Sequence, residues 1–352
     1  MKAGIIGATG YAGAELIRLL SGHPEIKKLV LSSVSFQGEQ IENIYPNFLG
    51  RVSGTLLKAE DVITSSDVVF GALPHAVGEQ FAAACIERGI HYIDLSADFR
   101  FGDDEAVYSA WYGKPYQFPK LHENSIYGLP ELNRQRIKSV TGAVVIGNPG
   151  CYPTCASLGA FPALAKGLVC TENPIIVNAV SGISGGGREP SRSFHYPECA
   201  DSIAPYKVGS HRHTPEITRN FAEMSALAGN NAPSVIFTPH LAPMNRGILC
   251  TIYIPLAAGQ EDAGIRALYA DFFNGEPFVR VLPAGLTSAT NRVRQSNYCD
   301  ISVHLDTNGS TLIIASAIDN MVKGASGQAV QNMNILFGFD EKTGLETIPS
   351  LF

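Results

Sequence analysis

One cysteine of this chain stands in a frame that can make it a nucleophile. Cys151 lies in Gly147-Asn148-Pro149-Gly150-Cys151-Tyr152-Pro153-Thr154. An apolar run before it, Ala143-Val144-Val145-Ile146, reads as a short buried strand, and Thr154–Phe161 after it reads as a helix. At a helix N-terminus the backbone N–H groups lack intrahelical acceptors and the dipole favours negative charge. Both effects lower a thiol's pKa and populate the thiolate, which is the nucleophilic form. The same N–H groups can hold an oxyanion formed by attack on a carbonyl. The alternative is an inert core cysteine, as free cysteines usually are.

Two further constellations supply what such a thiol needs. In His211-Arg212-His213-Thr214-Pro215-Glu216, Thr214 suits an N-cap and Pro215 the first helical position, so both histidines precede a helix in a loop able to face a cleft. An H-x-H pair alone is short of ligands for a metal, and none is expected; a purely structural pair remains open. Acyl transfer by a thiol needs a proton shuttle with a pKa near neutrality, which makes His211 and His213 acid–base candidates, with Arg212 and Glu216 as orienting groups. At the N-terminus, Gly7-Ala8-Thr9-Gly10-Tyr11-Ala12-Gly13 lies between a strand, Lys2–Ile6, and an amphipathic helix through Leu20. That G-x-x-G-x-x-G spacing lets backbone approach a pyrophosphate at a helix N-terminus. The next strand, Leu29–Ser33, ends in Ser32, Ser33 and Ser35 and not in the acid that would bind a ribose 2′-hydroxyl, which tilts the cofactor toward NADP over NAD. No arginine stands nearby, and a solvated serine loop is the competing explanation.

The elements that must position these groups follow in order. Ser66–Leu73 reads as a strand ending at Pro74-His75, Val77–Arg88 as a helix, and Ile90–Asp94 as a strand running into Leu95-Ser96-Ala97-Asp98-Phe99-Arg100. Strand–helix alternation implies a doubly wound parallel sheet with right-handed crossovers and ligands beyond the strand C-termini, where His75, Ser96, Arg100 and Cys151 all fall. The Pro- and aromatic-rich stretch from Trp111 to Leu129 reads as an ordered loop. After the cysteine helix the rhythm changes. Strands Ile175–Val180, Val235–Phe237, Gly247–Pro255 and Thr311–Ile318 are interrupted by one convincing helix, Asp262–Phe273, which implies a mostly antiparallel sheet in an α+β domain. A final helix starts near Lys323 and runs to about Phe337.

Composition narrows the function classes. The 352 residues are 45% hydrophobic and 16% charged, enough for a large core and two domains. A net charge of −6 speaks against nucleic acid or an anionic membrane as partner, and no apolar run is long enough to cross a bilayer. Seven scattered cysteines without a C-x-x-C pair, and a start that runs straight into strand-like sequence, point to a reducing cytoplasm.

Taken together, the Gly7–Gly13 turn, Asp94–Arg100, Tyr127–Leu132, Gly147–Thr154, Ser181–Arg188, His211–Ile217, Thr238–Gly247 and Ile318–Gln328 resemble, in order and over nearly the whole chain, the N-acetyl-gamma-glutamyl-phosphate reductases. These are NADPH-dependent enzymes of arginine biosynthesis related to aspartate-semialdehyde and glyceraldehyde-3-phosphate dehydrogenases. The resemblance implies a Rossmann-type NADP-binding domain over 1–150, with a C-terminal helix over about 325–352 packing back on it, and a catalytic and oligomerisation domain over 151–324. It implies that Cys151 forms a thioester with an acyl phosphate, with His211, His213 and Glu216 serving proton transfer. Expected cofactor contacts are Gly7, Thr9, Gly10, Tyr11, Ala12, Gly13, Ser32, Ser33, Ser35, Pro74, Ser184, Gly185 and Asn320. Expected substrate contacts are Ser96, Arg100, Asn148 and Arg188, with Arg100 and the Ser184–Arg188 loop as candidates for the phosphate and the carboxylate. A small-molecule acyl phosphate and a homo-oligomer (dimer or tetramer) complete the expectation. Competing possibilities are a reductase of carrier-protein-bound aminoadipyl phosphate or aspartyl phosphate, a cofactor-free cysteine hydrolase or acyltransferase, and a non-enzymatic dinucleotide sensor.

Overall fold

Short, largely apolar strands followed by tight turns suit a sheet covered on both faces. The computed structural model describes residues 1–259 and 261–351. The chain divides into two compact units, Met1–Gly150 with Ala325–Glu346, and Cys151–Gly324 with the residues from Thr347 on. In the first unit, strands β1 (Lys2–Ile6), β2 (Lys28–Ser32), β3 (Val68–Gly71), β4 (His91–Asp94), β5 (Ile126–Tyr127) and β6 (Val145–Gly147) form one sheet in the order β2-β1-β3-β4-β6-β5. Every pairing is parallel. The chain leaves β1 toward β2 and returns to β3 on its other side. That reversal opens a crevice beyond the C-terminal ends of β1 and β3. Gly7 follows β1 and Pro74 lies just beyond β3.

Two glycines let the first turn pack this tightly. Gly7 has φ +88°, and a Cβ there would collide with the Ala72 carbonyl oxygen; a Cβ on Gly13 would strike the Gly7 carbonyl oxygen. Gly10 has φ −75°, and the nearest atom to its Cβ position is 3.6 Å away. Gly13→Ala is therefore expected to destabilise the protein by about 1–3 kcal/mol in urea denaturation, through overpacking against backbone. Gly10→Ala should leave the melt unchanged and weaken dinucleotide binding, since only a ligand approaches that position.

The stretch from Trp111 to Leu129 is more regular than the expected loop. It contains the end of the helix Glu105–Tyr112, a short helix Pro119–Glu123 and the edge strand β5. A two-residue strand carries no periodicity that sequence could show. Order comes from side chains. Glu79 Oε2 accepts the N–H groups of Gln117 and Phe118, both at 2.8 Å, and His122 stacks on Tyr116 with ring centroids 3.4 Å apart. The C-terminal helix Gly327–Leu336 belongs to this unit, where the amides of Gln328 and Asn332 donate to the Gly128 carbonyl at 2.9 and 2.8 Å. No helix continues beyond it among the described residues.

The second unit is built on a seven-stranded sheet in the order β11-β12-β13-β10-β7-β9-β8, with β7 (Ile175–Ser181), β8 (Ala204–Pro205), β9 (Val235–Leu241), β10 (Ile248–Pro255), β11 (Val279–Val281), β12 (Cys299–Leu305) and β13 (Thr311–Ile318). It is mostly antiparallel; only the β7–β9 and β11–β12 pairings run parallel. Strands β8, β11 and β12 were not expected from sequence, although Cys299, Ile301, Val303 and Leu305 alternate with polar residues in β12. The helix Cys151–Ala165 packs on β10 and β13 and on the helix Thr214–Ala226. Every residue from Tyr152 to Leu164 is buried, so the helix reads as apolar all round and its axis is fixed from every side. A Cβ on Gly159 would meet Ile252 at 2.8 Å, so the glycine lets the helix settle against the sheet.

Candidate active site

The second unit holds Cys151 as the first residue of its most buried helix. Of the seven cysteines, five are buried and only Cys151 and Cys170 are partly accessible. Cys155, one turn further on, is fully buried, and its thiol donates to the Ser316 carbonyl at 3.1 Å. Burial pushes the thiols of Cys85, Cys250 and Cys299 upward, Cys85 to about 12. Those are structural. Cys151 instead combines access with a helix N-terminus, and Gly324 packs so closely on it that a Cβ there would sit 2.8 Å from the Cys151 Cβ.

Beside the thiol stands a box of aromatic rings around His211. Its imidazole makes edge contacts with Tyr152 at 5.6 Å, Tyr206 at 5.4 Å, Phe237 at 5.4 Å and His213 at 4.9 Å between centroids. Tyr152 follows Cys151 in sequence, and the Tyr206 phenol, pushed up to about 12 chiefly by burial, also feels the Cys151 charge. The two phenol oxygens lie 3.1 Å apart. The His213 backbone N–H donates to Nδ1 of His211 at 3.1 Å. In the neutral ring the proton then sits on Nε2, which is the donor left for a ligand. Burial first, then the charges of Lys207 and Arg212, hold His211 down at about 4, so its resting form at neutral pH is uncharged. Glu216 is fully buried. The helix begins with His213 at the N-cap, one residue before the Thr214 expected, so Thr214 and Pro215 are its first two residues.

The first unit carries the dinucleotide turn. Gly7 N–H and Ala8 N–H both donate to the Ser32 carbonyl, and Thr9 Oγ1 lies 2.8 Å from Ser33 Oγ, so the turn is tied to the end of β2. The helix Tyr11–Leu20 starts at Gly10 with no side chain capping it. A glycine turn that a Cβ would fill, at an uncapped helix N-terminus in the crevice of a parallel sheet, fits a pyrophosphate. Ala12 is held by Ser326 Oγ, which donates to its carbonyl at 2.9 Å; Tyr11, Ser35 and Pro74 are exposed; Ser32 and Ser33 are buried.

Comparison with known proteins agrees with this arrangement. Residues 2–140 match the family model for the semialdehyde dehydrogenase NAD binding domain, and residues 151–320 that for the semialdehyde dehydrogenase dimerisation domain. Proteins named N-acetyl-gamma-glutamyl-phosphate reductase are 47% identical in Clostridium kluyveri and 48% in Clostridium beijerinckii, each over 352 residues covering 100% of both chains. This chain belongs to the N-acetyl-gamma-glutamyl-phosphate reductase family. Among solved structures, aspartate semialdehyde dehydrogenase II from Vibrio cholerae, complexed with ASA, superposes with a TM-score of 0.73 at 15% identity, covering 96% of this chain and 98% of that one. Aspartate semialdehyde dehydrogenase with NADP from Candida albicans gives 0.68 at 16% identity, covering 96% and 98%. These two carry the fold alone.

Within this reductase family member, several of the polar residues singled out from sequence are taken up by the scaffold. Asn148 donates its backbone N–H to Asp94 O at 2.8 Å and its amide to Ala325 O at 3.0 Å, while its carbonyl accepts from Arg100 Nε at 2.9 Å. Its backbone N–H is therefore used inside the first unit and is not open to an oxyanion. Arg100 is buried and also donates to the Leu95 carbonyl at 3.2 Å. Ser96 Oγ donates to Asp94 Oδ2 at 2.6 Å. Burial, with Asp98 nearby, pushes the Asp94 carboxyl up to about 7. In the second unit Asn320 accepts the Gly247 N–H at 2.7 Å and donates to Ser184 Oγ at 3.0 Å, fixing the turn that carries Gly185. Gly185 and Arg188 are exposed. Sequence reasoning missed Tyr152, Tyr206, Phe237, Lys207 and Gly324. Only Tyr152 and Gly324 lay in motifs already marked, Gly147–Thr154 and Ile318–Gln328.

Proposed function

We propose that this protein reduces N-acetyl-gamma-glutamyl phosphate to N-acetylglutamate 5-semialdehyde and phosphate, with NADPH as reductant and through a thioester on Cys151, as a step of arginine biosynthesis. What carries the proposal is a partly accessible thiol at the start of a buried helix, beside a boxed imidazole, in a chain alike over its full length to reductases of that name. The Cys151 sulfur attacks the acyl carbon, the backbone N–H at the helix start holds the oxyanion, and phosphate leaves. The Gly7–Gly13 turn would hold the pyrophosphate of a reduced nicotinamide dinucleotide, which would supply hydride to the thioester carbon. His211 Nε2–H donates to the acyl oxygen as negative charge develops there, and that charge raises the imidazole's affinity for a proton. On collapse of the thiohemiacetal the hydroxyl proton returns to His211, the thiolate leaves and the aldehyde is released.

NADP over NAD rests on the family and on a β2 end without an acidic residue. The reading of a cytoplasmic homo-oligomer draws on the reducing-compartment cysteines and on Ile176 and Ile236. These lie opposite each other on β7 and β9, 37% and 49% exposed. Oxidation of NADPH and NADH should be followed with N-acetylglutamyl phosphate and with aspartyl phosphate. Fast turnover with the first acyl phosphate and NADPH is expected. A folded, NADP-binding protein that turns over neither, or only aspartyl phosphate, refutes the assignment.

A further inference from the structure

Lys207 is unusual in two respects. Its backbone is left-handed, with φ 46°, a conformation that favours glycine and persists in other residues only when the surroundings impose it. Among the described residues its ammonium has neither an ion pair nor a hydrogen bond, and what lies near it is another cation, Arg212. Lys207 is exposed on the loop, and partial desolvation, then the Arg212 charge, lower its pKa.

The surroundings that impose this are those of the thiol site. On one side, Tyr206 N–H donates to Pro239 O at 3.1 Å, its phenol lies 3.1 Å from that of Tyr152, and its ring packs on His211. On the other, Ser210 N–H donates to the Lys207 carbonyl at 3.0 Å and closes the turn that leads into His211. A lysine pinned between two residues of the aromatic box projects a mobile point charge with three donors, which suits a phosphate.

We propose that Lys207 binds the phosphoryl group of the acyl phosphate and stays with it as it departs. The assignment rests on the acyl-phosphate chemistry proposed above. In that step the Cys151 sulfur bonds to the acyl carbon while the bond from that carbon to the phosphate oxygen breaks. The phosphate leaves with the electron pair, so negative charge grows on the group that the ammonium binds. No redox change accompanies the step. In the reverse direction Lys207 holds inorganic phosphate for attack on the thioester.

The test uses the full chain with Lys207→Met, which removes the charge, and Lys207→Arg, which keeps it. Iodoacetamide labelling of Cys151, read by peptide mass spectrometry at constant ionic strength, needs no turnover. Inorganic phosphate should slow labelling of the wild type. The phosphate concentration for half-protection should rise about tenfold or more in Lys207→Met and much less in Lys207→Arg. In the reverse reaction the KM for phosphate should rise by a similar factor, with the KM for the semialdehyde unchanged. Equal protection in wild type and Lys207→Met, or none in the wild type, overturns the proposal. So does a rise in the semialdehyde KM in place of the phosphate KM, which would make the lysine a carboxylate contact. A wild type that does not turn over sinks the assigned reaction, while the labelling still decides the lysine.

Discussion

Replacing Cys151 by serine is expected to lower kcat with N-acetylglutamyl phosphate and NADPH by about 10⁴-fold or more, because the covalent route is lost. A serine hydroxyl at the same helix N-terminus gains the same field, yet its pKa starts many units above a thiol's, so no useful alkoxide forms at neutral pH. The change is a single atom at a partly accessible position, so the variant should melt within about 0.5 kcal/mol of the wild type. Cys155→Ser is the matched control. Its thiol is fully buried and bonded to Ser316 O, so the substitution touches stability and not the chemistry. Intact-mass spectrometry of wild type mixed with the acyl phosphate, with no reductant, should show one acyl group, absent in Cys151→Ser. Activity in Cys151→Ser within tenfold of wild type would contradict the thioester route.

What the sequence disclosed about this site follows from locality. Cys151 was legible because everything that distinguishes it lies within a few residues: an apolar strand, a Pro–Gly turn and a helix. The Gly7–Gly13 turn was legible for the same reason, and the structure shows why its first and last glycines are needed, at Ala72 and at Gly7 itself. The aromatic box was not legible. Tyr206 reaches His211 from just beyond β8 and Phe237 from β9, and no periodicity announces a phenol that will face an imidazole. Nor could residue type show that Asn148 and Arg100 spend donors on Asp94, Ala325, Asn148 and Leu95 carbonyls, since both side chains look like ligand contacts until their partners are known. Strand β12 is a different failure: its alternation was present, but Asp300, Ser302 and His304 hid it, and all three are buried or half-buried against the rest of the unit.

His211→Asn is expected to lower kcat by about 10²–10⁴-fold, the usual worth of a positioned proton donor. Asparagine is chosen because its Oδ1 can take over the bond that Nδ1 accepts from His213 N–H, so the loop keeps its anchor while the Nε2 donor disappears. His213→Asn should cost less, since His213 is less buried and lies outside the ring contacts made by Tyr206 and Phe237. An equal loss in both variants would move the role to His213. The pH dependence separates a proton-handling residue from a packing one. Burial and the charges of Lys207 and Arg212 hold the folded pKa at about 4, below the ordinary value of 6.5, so the folded state disfavours the proton. The unfolded chain takes it up first as pH falls. The contribution of neutral His211 to stability is therefore complete above about 6.5 and lost progressively down to about 4, to a total of at most about 3 kcal/mol. His211→Asn removes this term while leaving the shifts of His23 and His91 in place, so they cancel in the difference. Urea melts at pH 7 and pH 5 should show the wild type losing more stability than the variant over that interval. Parallel losses would mean that the imidazole is not held neutral, and that the two cations beside it are already balanced by an anion of the protein itself.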